Sequence, residues 1–240
     1  MSYRTLIKLI DYKYLLLIPY LFITSISAEE LVISKYKYSL DKSNIQFGIS
    51  EQTLIKNNSY FNFNIISKTA GIFKMKKDDR LEATIFKNED GIIKPVSYKF
   101  SKEKKDKVQL IETFFDLDKD YAYTLSNDIK HEHIGIPYSL DRLSVQIDFQ
   151  NKMKQGVFEY KYNIIDKGRV RKYSFVLHSS EVIETVFGMT NTIVIQKLIE
   201  NNKRSTLTWY AVDYDYVPVK IEQYRKKALK FTATLISVDK

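Results

Sequence analysis

The chain has 240 residues, enough to bury a substantial core, and a formal net charge of +9 without any cysteine. The lack of cysteine excludes disulfides, thiolate zinc sites, a cysteine nucleophile and a lipoprotein anchor. The 18 Tyr and 14 Phe favour strands, and only 7 Gly and 4 Pro argue against disorder. Lysines are interleaved with acids along the chain, so we interpret the charge as a solvated surface and expect no nucleic-acid partner.

The first 28 residues have the pattern of a signal peptide. Three basic residues precede the apolar run Leu15–Ile23, and small residues then offer cleavage after Ser27 or Ala28. The apolar run is shorter than the span of about 20 residues that a membrane helix needs. Asp11 is unusual in such a leader, so an uncleaved anchor is the alternative. We expect export to the periplasm and a single mature domain over residues 29–240, monomeric and without a membrane span.

Period-two patterns dominate the mature chain and predict strands. In "SYFNFNII", Phe61 and Phe63 lie on one face, with asparagines on the other. The segments "RLEATIF" and "IIKPVSYKF" flank "KNEDG", a hairpin turn in which Gly91 takes a positive φ. Ten to twelve short strands joined by tight turns predict a mainly β fold, either a single antiparallel meandering β-barrel or a strongly curved half-barrel sheet.

One central segment departs from this pattern and predicts one short helix. Apolar residues recur at helical spacing from Leu140 to Ile147, Ser139 is the predicted N-cap, and Gly156 is the predicted stop. Ile147 and Phe149 also fit a strand, which is the alternative for this segment.

Motifs for catalysis or metal binding are scarce. His131 and His133 share one face of a predicted strand, but no third metal ligand is identifiable, so a surface loop is the favoured interpretation. The chain has no G-x-S-x-G, no H-E-x-x-H, no G-x-G-x-x-G and no P-loop. We therefore assign no catalytic residue, no metal ligand and no cofactor.

The stretch "RSTLTWYAVDYDYVPVKIE" (Arg204 to Glu222) predicts a hairpin with two distinct faces. Trp209 shares one strand face with aliphatic residues, while Tyr210 shares the other face with threonines. Asp213 and Asp215 lie in the turn, where carboxylates accept local backbone N–H bonds. The proline of the second strand fits an edge or a bulge.

Four segments together form a family pattern: "LDRLS" (Leu140 to Ser144), "GVFEYKYNIIDKGRVRKYSFVL" (Gly156 to Leu177), "EVIETVFGMTNTIVIQK" (Glu181 to Lys197) and "RSTLTWYAVDYDYVPVKIE". Through these segments, much of the chain resembles the DUF3108 family of exported bacterial proteins of unknown function. This resemblance implies export and a β-rich fold, but no known reaction. One departure is "SSE" at Ser179–Glu181, where the family pattern has Gly before Glu, so the turn there is expected to be built differently. The closing hairpin also resembles that of lipoprotein carriers, half-barrel proteins that hold acyl chains against a curved sheet.

Large apolar residues at alternating positions, without catalytic motifs, predict a non-enzymatic periplasmic binding or envelope-assembly factor. Its concave sheet face would hold a lipid-like or other apolar ligand. Arg142 and Arg204 are candidates for ion pairs with Asp141 or Glu222, or for contacts with ligand anions. The candidate ligand-binding residues are Trp209, Tyr210, Tyr160, Tyr162, Phe175 and Arg142.

Two other functions remain open from the sequence. A structural partner of an envelope complex would use an exposed sheet edge or a basic face. A hydrolase of envelope glycans or lipids would use carboxylates such as Asp141, Asp213 and Asp215, and it needs two carboxyls about 5–10 Å apart in a cleft.

Overall fold

The computed structural model describes residues 30–75, 78–104, 107–127 and 129–239. The predicted signal peptide lies outside these residues, so its cleavage stays a prediction. The described ranges contain fourteen strands, more than the ten to twelve expected, and many strands are long because the tight turns consume few residues. The strands are β1 (Leu31–Lys42), β2 (Ile45–Asn57), β3 (Tyr60–Thr69), β4 (Asp78–Glu89), β5 (Ile92–Lys104), β6 (Lys107–Asp116), β7 (Tyr121–Ser126), β8 (Ile129–Ile134), β9 (Tyr160–Asp166), β10 (Arg169–Thr185), β11 (Gly188–Ile199), β12 (Arg204–Ala211), β13 (Val217–Arg225) and β14 (Ala228–Asp239).

All fourteen strands belong to one antiparallel sheet. Each strand pairs with its neighbour in sequence, and β1 also pairs with β14, with Tyr38 opposite Leu235. Only the β8–β9 connection departs from this meander, so β8 and β9 form the two edges of the sheet. The predicted strongly curved half-barrel with one helix is therefore confirmed, and the closed barrel is not formed.

Turn chemistry explains why the hairpins form where they do. Asp90 and Gly91 both have positive φ, at 51° and 87°, as the predicted turn in "KNEDG" requires. The side-chain oxygen of Asn88 accepts a hydrogen bond from the backbone N–H of Gly91 at 3.0 Å. The prediction for this hairpin is confirmed.

The segment around "SSE" contains no turn, although a turn was expected there. The single strand β10 runs through it for 17 residues, and its register with β11 shifts between Leu177 and Ser179. A bulge therefore replaces the expected turn, because one extra residue is accommodated without ending the ladder.

The predicted helix is present as α1 (Ser144–Lys154), but its cap is not the predicted one. Oδ1 of Asp141, rather than Ser139, accepts hydrogen bonds from the backbone N–H groups of Leu143 and Ser144, at 2.7 and 2.9 Å. The carboxylate thus accepts hydrogen bonds from two backbone N–H groups that have no partner within the helix, and its negative charge interacts favourably with the positive end of the helix dipole. Gly156 ends the helix as predicted, because its φ of 80° allows the chain to turn back.

Helix α1 packs inside the curve of the sheet and fills part of it. Val145, Phe149 and Met153 recur every four residues, and all three are fully buried. Phe149 stacks on Phe175 of β10 with ring centroids 4.4 Å apart. A second buried cluster contains Trp209 and Val194 and extends to Tyr38 of β1.

In the described part of the chain, α1 is the longest helix at 11 residues, and no helix there has the length and apolar character of a membrane span.

Candidate ligand cavity inside the curved sheet

The part of the curve that α1 leaves open is a cavity of about 1090 Å³. It lies between α1 and strands β1–β4 and β10–β14. Pockets that enclose a small organic ligand usually measure about 300–1,000 Å³. The cavity is therefore large enough for a ligand of lipid size.

Aromatic and aliphatic side chains form much of the cavity wall. Phe63, Phe175 and Ile195 are buried and line it from three strands. Tyr38 also lines it and donates a hydrogen bond from its hydroxyl to the carbonyl of Pro218 at 2.8 Å. Burial raises the pKa of Tyr38 and of Tyr210, so both phenols are neutral. These side chains thus offer an uncharged, largely apolar surface.

Strand alternation in β12 separates the two predicted ligand contacts of the closing hairpin. Thr206, Thr208 and Tyr210 line the cavity, so Trp209 lies on the opposite face. The indole Nε1 of Trp209 donates a hydrogen bond to Glu181 at 2.6 Å, within the second buried cluster. The two faces inferred from the sequence are confirmed.

The remaining candidate residues lie at different places around α1. Phe175 lines the cavity, whereas Tyr160, Tyr162 and Arg142 are absent from its lining. The Tyr162 hydroxyl donates a hydrogen bond to Asp148 of α1 at 2.7 Å, and its ring is 4.7 Å from that of Tyr160. The structure thus brings Tyr210 and Phe175 together at the cavity, and the ligand-binding role of all six residues stays a prediction.

Arg142 forms ion pairs with two acids, neither of which is the predicted Asp141. Its guanidinium lies 3.5 Å from Glu82 of β4 and 3.6 Å from Asp166 at the end of β9. Burial acts to lower the pKa of Arg142, but the nearby acids, Glu82 foremost, outweigh burial and raise it. Tyr98 donates to Glu82, so this network ties α1 to the sheet.

The three carboxylates of the hydrolase hypothesis have no binding partner in common. Asp141 is fully buried, and its second oxygen accepts a hydrogen bond from Thr84 at 2.7 Å, so both oxygens are engaged. Asp213 accepts from Asn191, and Asp215 pairs with Lys154 at 3.2 Å. The predicted local backbone contacts of the two turn aspartates are replaced by these side-chain partners, because the turn packs against β11 and α1. These contacts show no pair of carboxylates acting together.

The two histidines of β8 have different surroundings. His133 is buried, and its Nε2 lies 3.3 Å from the hydroxyl of Thr124, whereas His131 is exposed. Burial lowers the pKa of His133. Across residues 30–75, 78–104, 107–127 and 129–239, no three His, Asp or Glu side chains converge as metal ligands.

Basic side chains at the cavity were missed by the sequence analysis, which assigned lysines to a solvated face. Seven basic and two acidic residues line it. Both acids are paired: Asp78 with Arg80 and Lys102, and Asp215 with Lys154. The available signal was strand alternation: Lys197 is two positions from Ile195 on β11, and Arg204 is two positions from Thr206 on β12. The basic residues without an acidic partner in the described ranges are Lys68, Lys197, Arg204, Arg225 and Lys230.

The fold and cavity define an open antiparallel half-barrel with one helix inside its curve. The family model "Protein of unknown function (DUF3108)" matches residues 35–234. The chain belongs to the DUF3108 family.

Comparison with curated proteins finds no match. Among solved structures, the chain is similar to a Bacteroides fragilis protein with a YmcC-like fold, described as a candidate exported protein. The two share 12% sequence identity and superpose with a TM-score of 0.34, over 88% of this chain and 95% of the other.

Proposed function

We propose that the protein is an exported, non-enzymatic binding factor that holds a lipid-like ligand in the cavity of its curved sheet. The observation that supports this is the 1090 Å³ cavity with aromatic and aliphatic walls. When a hydrocarbon replaces water against apolar walls, the free energy of the system falls, which favours binding. The apolar run Leu15–Ile23 behind three basic residues supports export, with the periplasm as the destination.

The absence of a working carboxylate pair among the proposed catalytic acids favours binding over hydrolysis. The Asp141 carboxylate is committed to capping α1, and Asp215 is paired with Lys154. The chemistry left at the cavity wall is that of a ligand holder: apolar surface, hydroxyls and cations.

The far end of the β10–β11 hairpin favours a second candidate function, the binding of an envelope protein partner. Strand β9 pairs with β10 only as far as Phe175, and β12 pairs with β11 only from Thr192 onward. Beyond these points the two strands pair only with each other, and Val182 and Met189 are exposed on them. Val182→Asp in this arm should abolish capture of a specific partner by in-cell cross-linking while leaving ligand uptake intact.

Uptake of the neutral fluorescent probe N-phenyl-1-naphthylamine tests the lipid-holder function. Two substitutions on β12 form a matched pair, because Thr206 lines the cavity, whereas Ser205 is not part of the lining and strand alternation points it the other way. Thr206→Trp fills the cavity and should weaken probe affinity by about tenfold or more, whereas Ser205→Trp should leave it within about twofold.

Thermal unfolding of both variants provides the control for folding. Absence of probe uptake by the wild-type protein, or equal loss in both folded variants, would contradict the proposed function.

A further inference from the structure

Cations without acidic partners gather at one end of the cavity. Lys197, Arg204, Arg225 and Lys230 lie where the β11–β12 and β13–β14 connections meet, and Lys68 lies at the matching end of β3. We call these five residues the basic end. No acidic side chain in the described ranges lies within 4.0 Å of their charged groups.

Two arginines of the basic end are side by side on adjacent strands. Arg204 opens β12, Arg225 closes β13, and the two are register partners. Side chains at such positions have Cβ atoms about 4.5–5.5 Å apart, and like charges placed there repel each other. The predicted ion pair between Arg204 and Glu222 is absent, because Glu222 pairs with Lys220 instead. An anion between the two guanidinium groups would relieve the repulsion.

Lys197 lies further inside the cavity than the exposed arginines. It is partly buried on β11, between Phe175 of β10 and Thr206 of β12 in the ladder. Its ammonium lies 5.6 Å from the ring centroid of Tyr173. Burial, and then the nearby Arg142, lower the pKa of Lys197 to about 8. A cation held in this way gains the most from a negative ligand group.

The opposite end of the cavity has no such surplus. There the ammonium of Lys154 is satisfied by Asp215, and the amide of Gln150 donates to the carbonyl of Asp215 at 2.9 Å. The cavity is therefore polarised, with apolar walls in its middle and unpaired positive charge at one end.

We propose that the ligand is an anionic amphiphile whose phosphate-type head group is bound by Lys197, Arg204 and Arg225 while its hydrocarbon part lies along the apolar wall. This proposal rests on the lipid-holder function and adds the class and direction of its ligand. Arginine forks hold phosphate oxygens in two-point contacts, and a lysine supplies a compact charge. The head group therefore points toward the β11–β12 and β13–β14 turns.

Three probes separate head group, chain and free ion: dodecyl phosphate, dodecyl maltoside and inorganic phosphate. The concentrations stay below those at which the detergents form micelles, and calorimetric titration gives each affinity directly. Dodecyl phosphate should bind at least about tenfold more tightly than dodecyl maltoside, as expected for charge-assisted contacts. Inorganic phosphate should bind more weakly than dodecyl phosphate, since it lacks the chain.

A double substitution and a charge-matched control test the residues. Arg204→Gln with Arg225→Gln should reduce the preference for dodecyl phosphate to about twofold or less. Lys161→Gln with Lys172→Gln removes the same charge from the face of β9 and β10 opposite Tyr162 and Tyr173, and should preserve the preference. Uptake of the neutral N-phenyl-1-naphthylamine should be unchanged in the Lys161 and Lys172 control, and thermal unfolding of both double variants verifies folding.

The outcomes distinguish this proposal from the one on which it rests. Neutral-probe uptake with equal affinity for both dodecyl ligands would overturn the anionic head group and leave the lipid-holder function standing. Inorganic phosphate binding as tightly as dodecyl phosphate would make the site one for a free ion and overturn the proposal. Failure of dodecyl phosphate, dodecyl maltoside and N-phenyl-1-naphthylamine all to bind would overturn both.

Discussion

The two regions inside the curve of the sheet, one around α1 and one between α1 and β12–β14, differ in packing and in the pairing of their charged groups. Around α1, the sheet interior is filled, and its charged groups are paired: Arg142 with Glu82 and Asp166, and Asp141 with hydroxyl and backbone donors. Between α1 and β12–β14, the interior is open and holds cations with no acidic partner in the described ranges. Satisfied polar groups stabilise a fold, whereas unsatisfied ones at a cavity cost stability and suit a ligand.

The largest expected effect falls on the filled region. Asp141→Ala removes a buried helix cap and the closer of the two hydrogen-bond acceptors of the Thr84 hydroxyl, so the free energy of unfolding should fall by about 3 kcal/mol. For a chain of this length, this corresponds to a melting temperature lower by about 10 °C. Differential scanning calorimetry measures the shift.

Thr84→Val is the matched comparison for this prediction. It removes the hydroxyl that donates to Asp141 and, at 3.3 Å, to the carbonyl of Ser97, with little change of volume, and should cost about 1 kcal/mol. Equal effects of the two substitutions would contradict the capping role of Asp141.

The open region should respond in the opposite direction. Lys197→Met removes a partly buried charge that lacks an acidic partner in the described ranges, and should stabilise the ligand-free protein by about 1 kcal/mol, or about 2–4 °C. Reduced stability of this variant would show that the Lys197 charge is satisfied in the folded protein, and would remove the contrast between the regions.

The same lysine predicts a pH dependence. Its folded-state pKa of about 8 lies below the value of about 10.4 in an unfolded chain, so between these pH values the unfolded state binds more protons. The free energy of unfolding contributed by Lys197 therefore rises as the pH increases from about 8 to 10, and this rise should be missing in Lys197→Met. Parallel pH profiles for the two proteins would contradict the lowered pKa.

The smallest effect on ligand uptake is expected at the outer face of the hairpin. Trp209 donates to Glu181 and lies under the ammonium of Lys220, which is 4.2 Å from the ring centroid, so it belongs to the second cluster. Trp209→Phe should lower the melting temperature by a few degrees, yet leave N-phenyl-1-naphthylamine uptake within about twofold. A loss of uptake as large as that of Thr206→Trp would place the tryptophan at the ligand.

Much of the fold could be predicted because local chemistry determines it. The alternation of residue types identified the two faces of β12. Asp90 and Gly91 marked the turn between β4 and β5, and Gly156 marked the end of α1. The bulge near Ser179 was not predictable, since it depends on the register with β11.

The cap of α1 was misassigned for a related reason. Ser139 and Asp141 are both good capping residues in sequence, and only the position of Thr84, 57 residues earlier, favours the carboxylate.

The candidate site was less predictable than the fold, because it depends on which strands meet. Arg204 and Arg225 are 21 residues apart, and their direct opposition requires the exact register of β12 and β13, including a bulge. Phe175 and Tyr210 were chosen as large aromatic residues, yet so was Trp209, which alternation sends to the other face. The sequence does not show which face of a strand lies on the concave side of the sheet, so lysines that line the cavity cannot be distinguished from solvent-exposed ones.

Native mass spectrometry of the full protein isolated from its own cells tests the central claim most directly. The account predicts an added mass from a co-purifying anionic amphiphile on the wild-type protein, retained in Ser205→Trp and absent from Thr206→Trp. A wild-type protein that carries no such mass and binds neither N-phenyl-1-naphthylamine nor dodecyl phosphate would contradict it.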